Sequence, residues 1–261
     1  NLSHYEMIRQ FVEKIKSWGR AVYIGFNNLE FDRPFLHVTL FKNLEYPYLT
    51  STNGNSEGDL LGLSRAANLY YPKTLKNKTN LKGNLEYKLE TLAPLNGVEH
   101  GNAHSAIGDV IATLGIAKIL KKKSSNVWES SFLTINKDKT LEIIKKELFF
   151  CTNEFFYGSV RAFVQTFVCQ HPIYQWPKCF DLKHDPNIYI NMSIQELKIE
   201  MKKNPKILRT VRHNKHPIIM SPSYFNLLEE YKILGNKKLT ERAKIIKNNK
   251  KFSEKIEIIL R

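Results

Sequence analysis

A chain of 261 residues with 42% hydrophobic content and 15 Phe is long and apolar enough for one large core or two modest ones. No apolar run approaches the roughly 20 residues of a membrane span, which excludes a helical integral membrane protein. The net charge of +15 favours a polyanionic partner such as nucleic acid, although the Lys- and Asn-rich runs at 76–80 and 247–251 would also follow from compositional bias alone. Three cysteines, Cys151, Cys169 and Cys179, form no C-x-x-C pair and show no metal-ligand spacing, which predicts a reducing, cytoplasmic setting.

Along residues 5–18, Ile8, Phe11, Val12 and Ile15 recur at helical spacing, predicting a surface helix that Gly19 ends. The apolar run at 21–26 predicts a buried, parallel-type strand, and Asn27-Asn28 breaks it. A second helix runs from Asp32 to about Lys42, so Asp32 stands just past the carboxyl end of a strand. In open α/β sheets that edge is where ligands bind. Residues 59–69 predict a helix closed by Pro72, residues 74–83 a loop, and residues 87–96 a short helix stopped by Gly97.

The segment 97–109 organises the rest: His104 lies five residues before Asp109 at the head of a further helix. Asn102 is its candidate N-cap, Ile107, Val110, Ile111 and Leu114 its predicted buried face, and the lysines at 121–123 suit the negative end of its dipole. Five helical residues turn through about 500° and rise about 7.5 Å, so the pair would flank a pocket rather than stack on one face.

Residues 124–139 read as irregular, and a short helix at 141–148 ends the first domain. Then the pattern changes. Alternation over 156–168 predicts a strand, which residues 179–182 and 187–191 extend around a His184-Asp185-Pro186 turn. Ser193-Ile-Gln-Glu196 is a capping box for a helix ending near Lys203, and 207–211 and 217–220 predict further strands. Beyond Ser223 the sequence turns helical, with a Lys-rich helix pair at 240–261.

Asp32 and Asp109 are hard oxygen ligands of the type Mg²⁺ or Mn²⁺ prefers, and His104 can take a proton from water near neutral pH. Each has a plainer reading. Aspartate in a first helical turn complements the dipole, H-x-x-x-x-D is a weak pattern, Asn27-Asn28 suits a turn, and Lys88 suits an exposed helix surface. Two aspartates are also fewer than the roughly four acidic ligands that a two-cation site requires.

Four segments carry more weight in combination. Ile24-Gly-Phe-Asn-Asn-Leu-Glu-Phe-Asp32, Asp59-Leu-Leu, Lys88-Leu-Glu-Thr-Leu and Asn96-Gly-Val-Glu-His-Gly-Asn-Ala-His-Ser-Ala-Ile-Gly-Asp109, in that order and at those separations, closely resemble bacterial exodeoxyribonuclease I. The resemblance continues more thinly through His171-Pro, Phe180-Asp-Leu and the stretch at 211–217. That family lies within the exonucleases that use four acidic residues and a histidine.

The resemblance implies an α/β fold: a ribonuclease H-like exonuclease domain over 1–148, a small SH3-like, mostly β domain over 149–236, and the beginning of a helical domain over 237–261. It implies metal-dependent removal of 5′-mononucleotides from the 3′ end of single-stranded DNA, with two Mg²⁺ ions or Mn²⁺, and a role in DNA repair. Asp32 and Asp109 become metal ligands, His104 the general base, Asn27 and Asn28 substrate-positioning residues, and Lys88 a DNA contact. Further expectations are a monomer that receives the acidic tail of single-stranded-DNA-binding protein and has no membrane contact.

The family's first motif, Asp-x-Glu on an opening strand, has no counterpart here. The expectation is therefore a fragment whose opening strands lie upstream of Asn1, inactive by itself. Two other readings compete: a proofreading or RNA-trimming exonuclease of the same wider class, and a non-catalytic protein that binds single-stranded DNA through basic grooves. The β region and terminal helices count against a minimal exonuclease, and turnover separates an enzyme from a binding protein.

Overall fold

The computed structural model describes residues 2–99 and 105–261. Helix α1 (His4–Ser17) opens with a capping box: the Ser3 hydroxyl accepts from the Glu6 amide, and the Glu6 carboxylate accepts from the Ser3 amide at 2.9 Å. Its Ile8, Val12 and Ile15 are buried, and Gly19 turns the chain at φ +68°. Strand β1 (Val22–Gly25) follows, then α2 (Asp32–Lys42), with Asp32 in the first turn as predicted.

β1 pairs in parallel with β2 (Ser56–Asp59), Val22 opposite Ser56 and Gly25 opposite Asp59. The apolar run of β1 predicted burial on both faces. Instead Val22 and Ile24 are 43% and 40% exposed, because among the described residues this sheet has two strands and one covered face. The predicted helix at 59–69 starts one residue later, as α3 (Leu60–Tyr70), and Asp59 ends β2 and caps the helix.

Helix α4 (Leu89–Leu95) stops at Gly97, where φ is +70°. Helix α5 (Ala106–Lys123) is capped by Ser105, whose hydroxyl accepts from the Gly108 amide at 3.0 Å; the N-cap is thus Ser105 and not Asn102. The predicted buried face is also corrected. Ile107, Val110, Ile111 and Leu114 are more than half exposed, while Gly108, Ala112, Ile116 and Leu120 turn inward. α5 packs against α3, α4 and α6, so its helical neighbours decided the buried face where residue size suggested the other.

Residues 124–139 are not irregular. They form α6 (Ser125–Leu133) and the start of α7 (Lys137–Lys146), which Asn136 caps through the amides of Asp138 and Lys139. The strand predicted at 156–168 is a hairpin, β3 (Phe150–Phe156) and β4 (Ser159–Gln170), turned by Tyr157 and Gly158 at φ +51° and +80°. Strand β5 (Pro177–Asp181) pairs with β4.

The strand predicted at 187–191 is instead a short helix, α8 (Pro186–Tyr189). Asp185 accepts from the Asn187 amide and Pro186 occupies the first turn, so Asp-Pro starts a helix here. The capping box at Ser193 opens α9 (Ile194–Glu200) as predicted, and β6 (Leu208–Thr210) and β7 (Ile219–Met220) complete an antiparallel sheet ordered β6-β5-β4-β3-β7. After a 3-10 turn at Pro222–Leu227 come α10 (Glu229–Lys232), α11 (Gly235–Asn248) and α12 (Lys250–Leu260).

Strand alternation sends neighbouring side chains into two different cores. Phe150, Cys179, Val211 and Ile219 pack under Ile144 of α7. Cys151, Val164 and Phe180 join the main core, which runs without interruption from Leu63 of α3 and Ile116 of α5 to Phe252 and Ile256 of α12. All three cysteines are free and buried, and burial pushes the thiols of Cys151 and Cys169 up to about 12, so they stay protonated and inert.

Candidate functional site

The site grows from the carboxyl ends of β1 and β2. Asp59, last residue of β2, accepts three amide hydrogen bonds: from Asn27 at 2.9 Å, Leu61 at 2.8 Å and Leu29 at 3.3 Å. One carboxylate therefore caps α3 and holds the loop that carries Asn27 and Asn28. Asn27 sits at φ +63°, a left-handed conformation that asparagine tolerates better than most side chains. Gly25 is required beside it, since a Cβ there would fall 2.7 Å from the Asn28 Cβ. Enclosed by this turn, the Asn28 Oδ1 has no hydrogen-bond partner among the described residues.

Asp59 is itself held from the far side. Its amide donates to the Nδ1 of His216 at 3.0 Å, while the His216 Nε2 lies 2.9 Å from the Ser131 carbonyl. That pattern requires a neutral imidazole protonated on Nε2. Burial lowers the His216 pKa, favouring the same form.

In front of this turn lies a cleft of about 1490 Å³. It is lined by Asn27, Asn28 and Asp32, by Ala106, Asp109 and Val110 of α5, and by Lys88. Five of the six residues singled out in the sequence thus share one surface; the sixth, His104, lies outside the described residues. Lys88 is an exposed side chain that sits 3.6 Å from Glu86 and 3.7 Å from Glu90, two weak surface pairs that a polyanion would compete with. Glu57, also on the cleft, is buried, ion-paired to Arg33 at 3.3 Å and hydrogen-bonded by Thr50 at 2.6 Å.

Among the described residues no group of three or more His, Cys, Asp or Glu side chains gathers to hold a metal. Asp32 and Asp109 supply hard oxygen donors to the same cleft, a donor set that suits a divalent cation in kind and falls short of two cations in number.

In the sequence Asp59 belongs to Asp59-Leu-Leu with no role of its own, and spacing missed Arg65, Phe155 and His216. Gly58-Asp59 before an apolar run is an N-cap signal and was the available clue to Asp59. Arg65 packs its guanidinium 3.7 Å from the Phe155 ring centroid and 5.9 Å from that of Tyr87. Arg65 and Phe155 line both the large cleft and a second one of about 750 Å³. Lys178, Lys206, Arg209, Arg212 and Lys215 surround that second cleft, and its one lining carboxylate, Glu154, is paired to Arg209 at 3.1 Å.

No family model matches the chain. Its resemblance to exodeoxyribonuclease I holds: the exodeoxyribonuclease I of Buchnera aphidicola subsp. Schizaphis graminum is 32% identical over 174 residues, 66% of this chain and 34% of the relative. Exodeoxyribonuclease I of Escherichia coli K12 is 34% identical over 122 residues, 46% of this chain and 26% of the relative. The matched stretches thus span about a third or less of the length of these curated relatives.

Solved structures share the fold. A moderately thermophilic exonuclease I from Methylocaldum szegediense superposes with a TM-score of 0.81 at 22% identity, covering 100% of this chain and 59% of that one. E. coli exonuclease I in complex with a dA16 oligonucleotide superposes with a TM-score of 0.74 at 23% identity, covering 96% of this chain and 57% of that one.

Proposed function

We propose that this chain forms the DNA-holding surface and part of the catalytic centre of a 3′ to 5′ exodeoxyribonuclease that degrades single-stranded DNA to 5′-mononucleotides. One observation carries the reading: Asn27, Asn28, Asp32, Lys88 and Asp109, named from separate stretches of sequence, line a single cleft that Arg65 joins to a basic one. The relative solved with an oligonucleotide, and the shared name of the curated relatives, support the same substrate.

In this reading Asp32 and Asp109 hold Mg²⁺ or Mn²⁺, a pair of cations that, when bound, stabilises the charge developing on the attacking and leaving oxygens. Asn27 and Asn28, which line the cleft at the turn after β1, orient the terminal nucleotide. Lys88 exchanges its glutamate neighbours for a phosphate. His104 is assigned the proton from the incoming water.

The parallel strands with their helices at 1–148 fit a ribonuclease H-like domain, the antiparallel sheet at 149–236 an SH3-like one, and 237–261 the start of a helical domain. The basic stretch at 198–212 suits the acidic tail of single-stranded-DNA-binding protein. The proposed protein is a cytoplasmic monomer acting in DNA repair; no helix among the described residues is long and apolar enough to cross a membrane.

Asp32 and Asp109 alone are too few for two cations, and the other carboxylates lining the cleft, Glu57, Glu86 and Glu90, are ion-paired, so the chain by itself is proposed to bind DNA with little or no turnover. The experiment follows digestion of a 5′-labelled single strand with Mg²⁺, by this chain and by the same chain joined to an Asp-x-Glu strand. Turnover in the joined protein that Asp109→Ala or Asp32→Ala abolishes supports the site; digestion unaffected by Asp109→Ala overturns it. The second reading, a non-catalytic single-strand-binding protein, draws on the basic cleft, which needs no cation to work. It predicts salt-sensitive binding without turnover in either form.

A further inference from the structure

The loop between β4 and β5 carries a feature that neither core uses. Tyr174 and Trp176 stack with ring centroids 5.1 Å apart and planes 20° from parallel, and His171 approaches the Tyr174 ring at 4.7 Å. Trp176 is half-buried, whereas Tyr174 is 58% exposed, so the ladder ends on an open aromatic face. The Arg212 guanidinium lies 5.1 Å from the centroid of the Trp176 ring.

The loop is held in shape. The His171 amide donates to the Trp176 carbonyl at 2.9 Å and the Gln175 amide to the His171 carbonyl at 2.9 Å. The His171 Nδ1 accepts from the Ile173 amide at 3.2 Å, and the Gln170 side chain donates to the Gln175 carbonyl at 2.9 Å. Rings already fixed by backbone bonds can receive a planar ligand without paying much ordering entropy.

Position decides what that ligand is. Arg212 and Lys178, at the base of the loop, line the basic cleft, and Arg65 and Phe155 carry that cleft's surface into the candidate site. A row of cations with an aromatic face at its end matches a chain of alternating phosphates and bases.

We propose that Tyr174 and Trp176 form a base-stacking platform that grips single-stranded DNA at a distance from the cleavage site, with Arg212 on the adjoining phosphate. The proposal rests on the single-strand reading of the site. A strand long enough to reach from the large cleft across the basic one meets the platform; a short strand held in the large cleft alone does not.

The test is fluorescence anisotropy with labelled oligo-dT of about 5 and about 20 nucleotides, on the chain and on Tyr174→Ala, with Tyr174→Phe as the conservative variant. Stacking on one aromatic side chain corresponds to roughly 5- to 150-fold in affinity. Tyr174→Ala should weaken the long oligonucleotide by on the order of tenfold, leave the short one unchanged, and leave the salt slope unchanged, because a ring releases no counter-ions. Tyr174→Phe should restore binding, and a long strand with abasic sites along its length should bind the chain and Tyr174→Ala alike.

Equal affinity of the chain and Tyr174→Ala for the long strand would overturn the platform and leave the single-strand reading standing. Failure of the unsubstituted chain to bind either strand would remove both. The Tyr174 ring is exposed, and an unchanged melting temperature confirms that the variant retains the fold.

Discussion

The amide of Asp59 donates to the Nδ1 of His216 across 157 residues of sequence, tying the end of β2 to the segment that leads into β7. Because the carboxylate of Asp59 also holds the amides of Asn27, Leu29 and Leu61, this contact braces the floor of the cleft against the second sheet. Replacing Asp59 by Ala removes an N-cap, worth about 1 kcal/mol, and leaves the buried Leu29 amide unpaired at about 1–3 kcal/mol. The expected loss is about 2–4 kcal/mol, read as a lower melting temperature, with weaker single-strand binding as the Asn27-Asn28 turn loosens. Asp59→Asn keeps one acceptor oxygen and should fall between.

His216 makes stability depend on pH. Its folded pKa lies below the ordinary value near 6.5, since burial disfavours the cation and the Asp59 amide occupies Nδ1. The unfolded chain therefore binds the proton more readily, and stability is lost as pH falls below about 6.5. His37, His184 and His213 shift the same way for the same first reason, burial. Urea denaturation at pH 7.5 and at pH 5.5 should show a less stable protein at the lower pH. In His216→Gln, whose amide can accept and donate in place of the ring, that difference should shrink; an unchanged difference would show that His216 does not contribute.

How much of this was legible in the sequence depends on the element. α1 could be read because apolar periodicity and a glycine stop agree, α4 could be read from its stop at Gly97, and the order of their segments singled out Asp32, Asp109, Asn27, Asn28 and Lys88, which line one cleft. β2 could not be read: Ser-Glu-Gly-Asp has no apolar residue, and its burial comes from Thr50, Arg33 and His216 arriving from elsewhere. The face of α5 was misassigned because Gly108 and Ala112, which are buried with Ile116 and Leu120, carry little hydrophobic signal. Arg65 gave no local sign, since its partners Phe155 and Tyr87 are distant in sequence.

Two glycines should respond with opposite sign to the same change. A Cβ on Gly115 would fall 2.3 Å from a methyl of Val98, so Gly115→Ala forces the segment after α4 away from α5. Overpacking of this type costs about 1–3 kcal/mol. Gly62 lies inside α3 with nothing within 4 Å of its would-be Cβ. Gly62→Ala should raise stability by about 0.5–1 kcal/mol, through helix propensity and a less flexible unfolded chain. Thermal melts of the two variants measured side by side would show the difference in sign, and destabilisation by both would contradict the open space beside Gly62.

Arg65 separates stability from binding. Its guanidinium is shielded between the Phe155 and Tyr87 rings, its Nε has no hydrogen-bond partner among the described residues, and burial lowers its pKa without neutralising it. A half-buried cation of this kind adds little to folding, because its partial desolvation offsets the attraction of the rings. Arg65→Met, similar in length and apolar, should therefore leave stability within about 1 kcal/mol. The same change removes the one cation among the described residues that borders both clefts, where a strand passing from one to the other must place a phosphate. Single-strand affinity should fall by on the order of tenfold, and the slope of log K against log salt should drop by about one counter-ion. Arg65→Lys keeps the charge but loses the planar contact with Phe155, so it should preserve the slope while lowering affinity. A salt slope identical in Arg65→Met and the unsubstituted chain would place the DNA elsewhere on the surface.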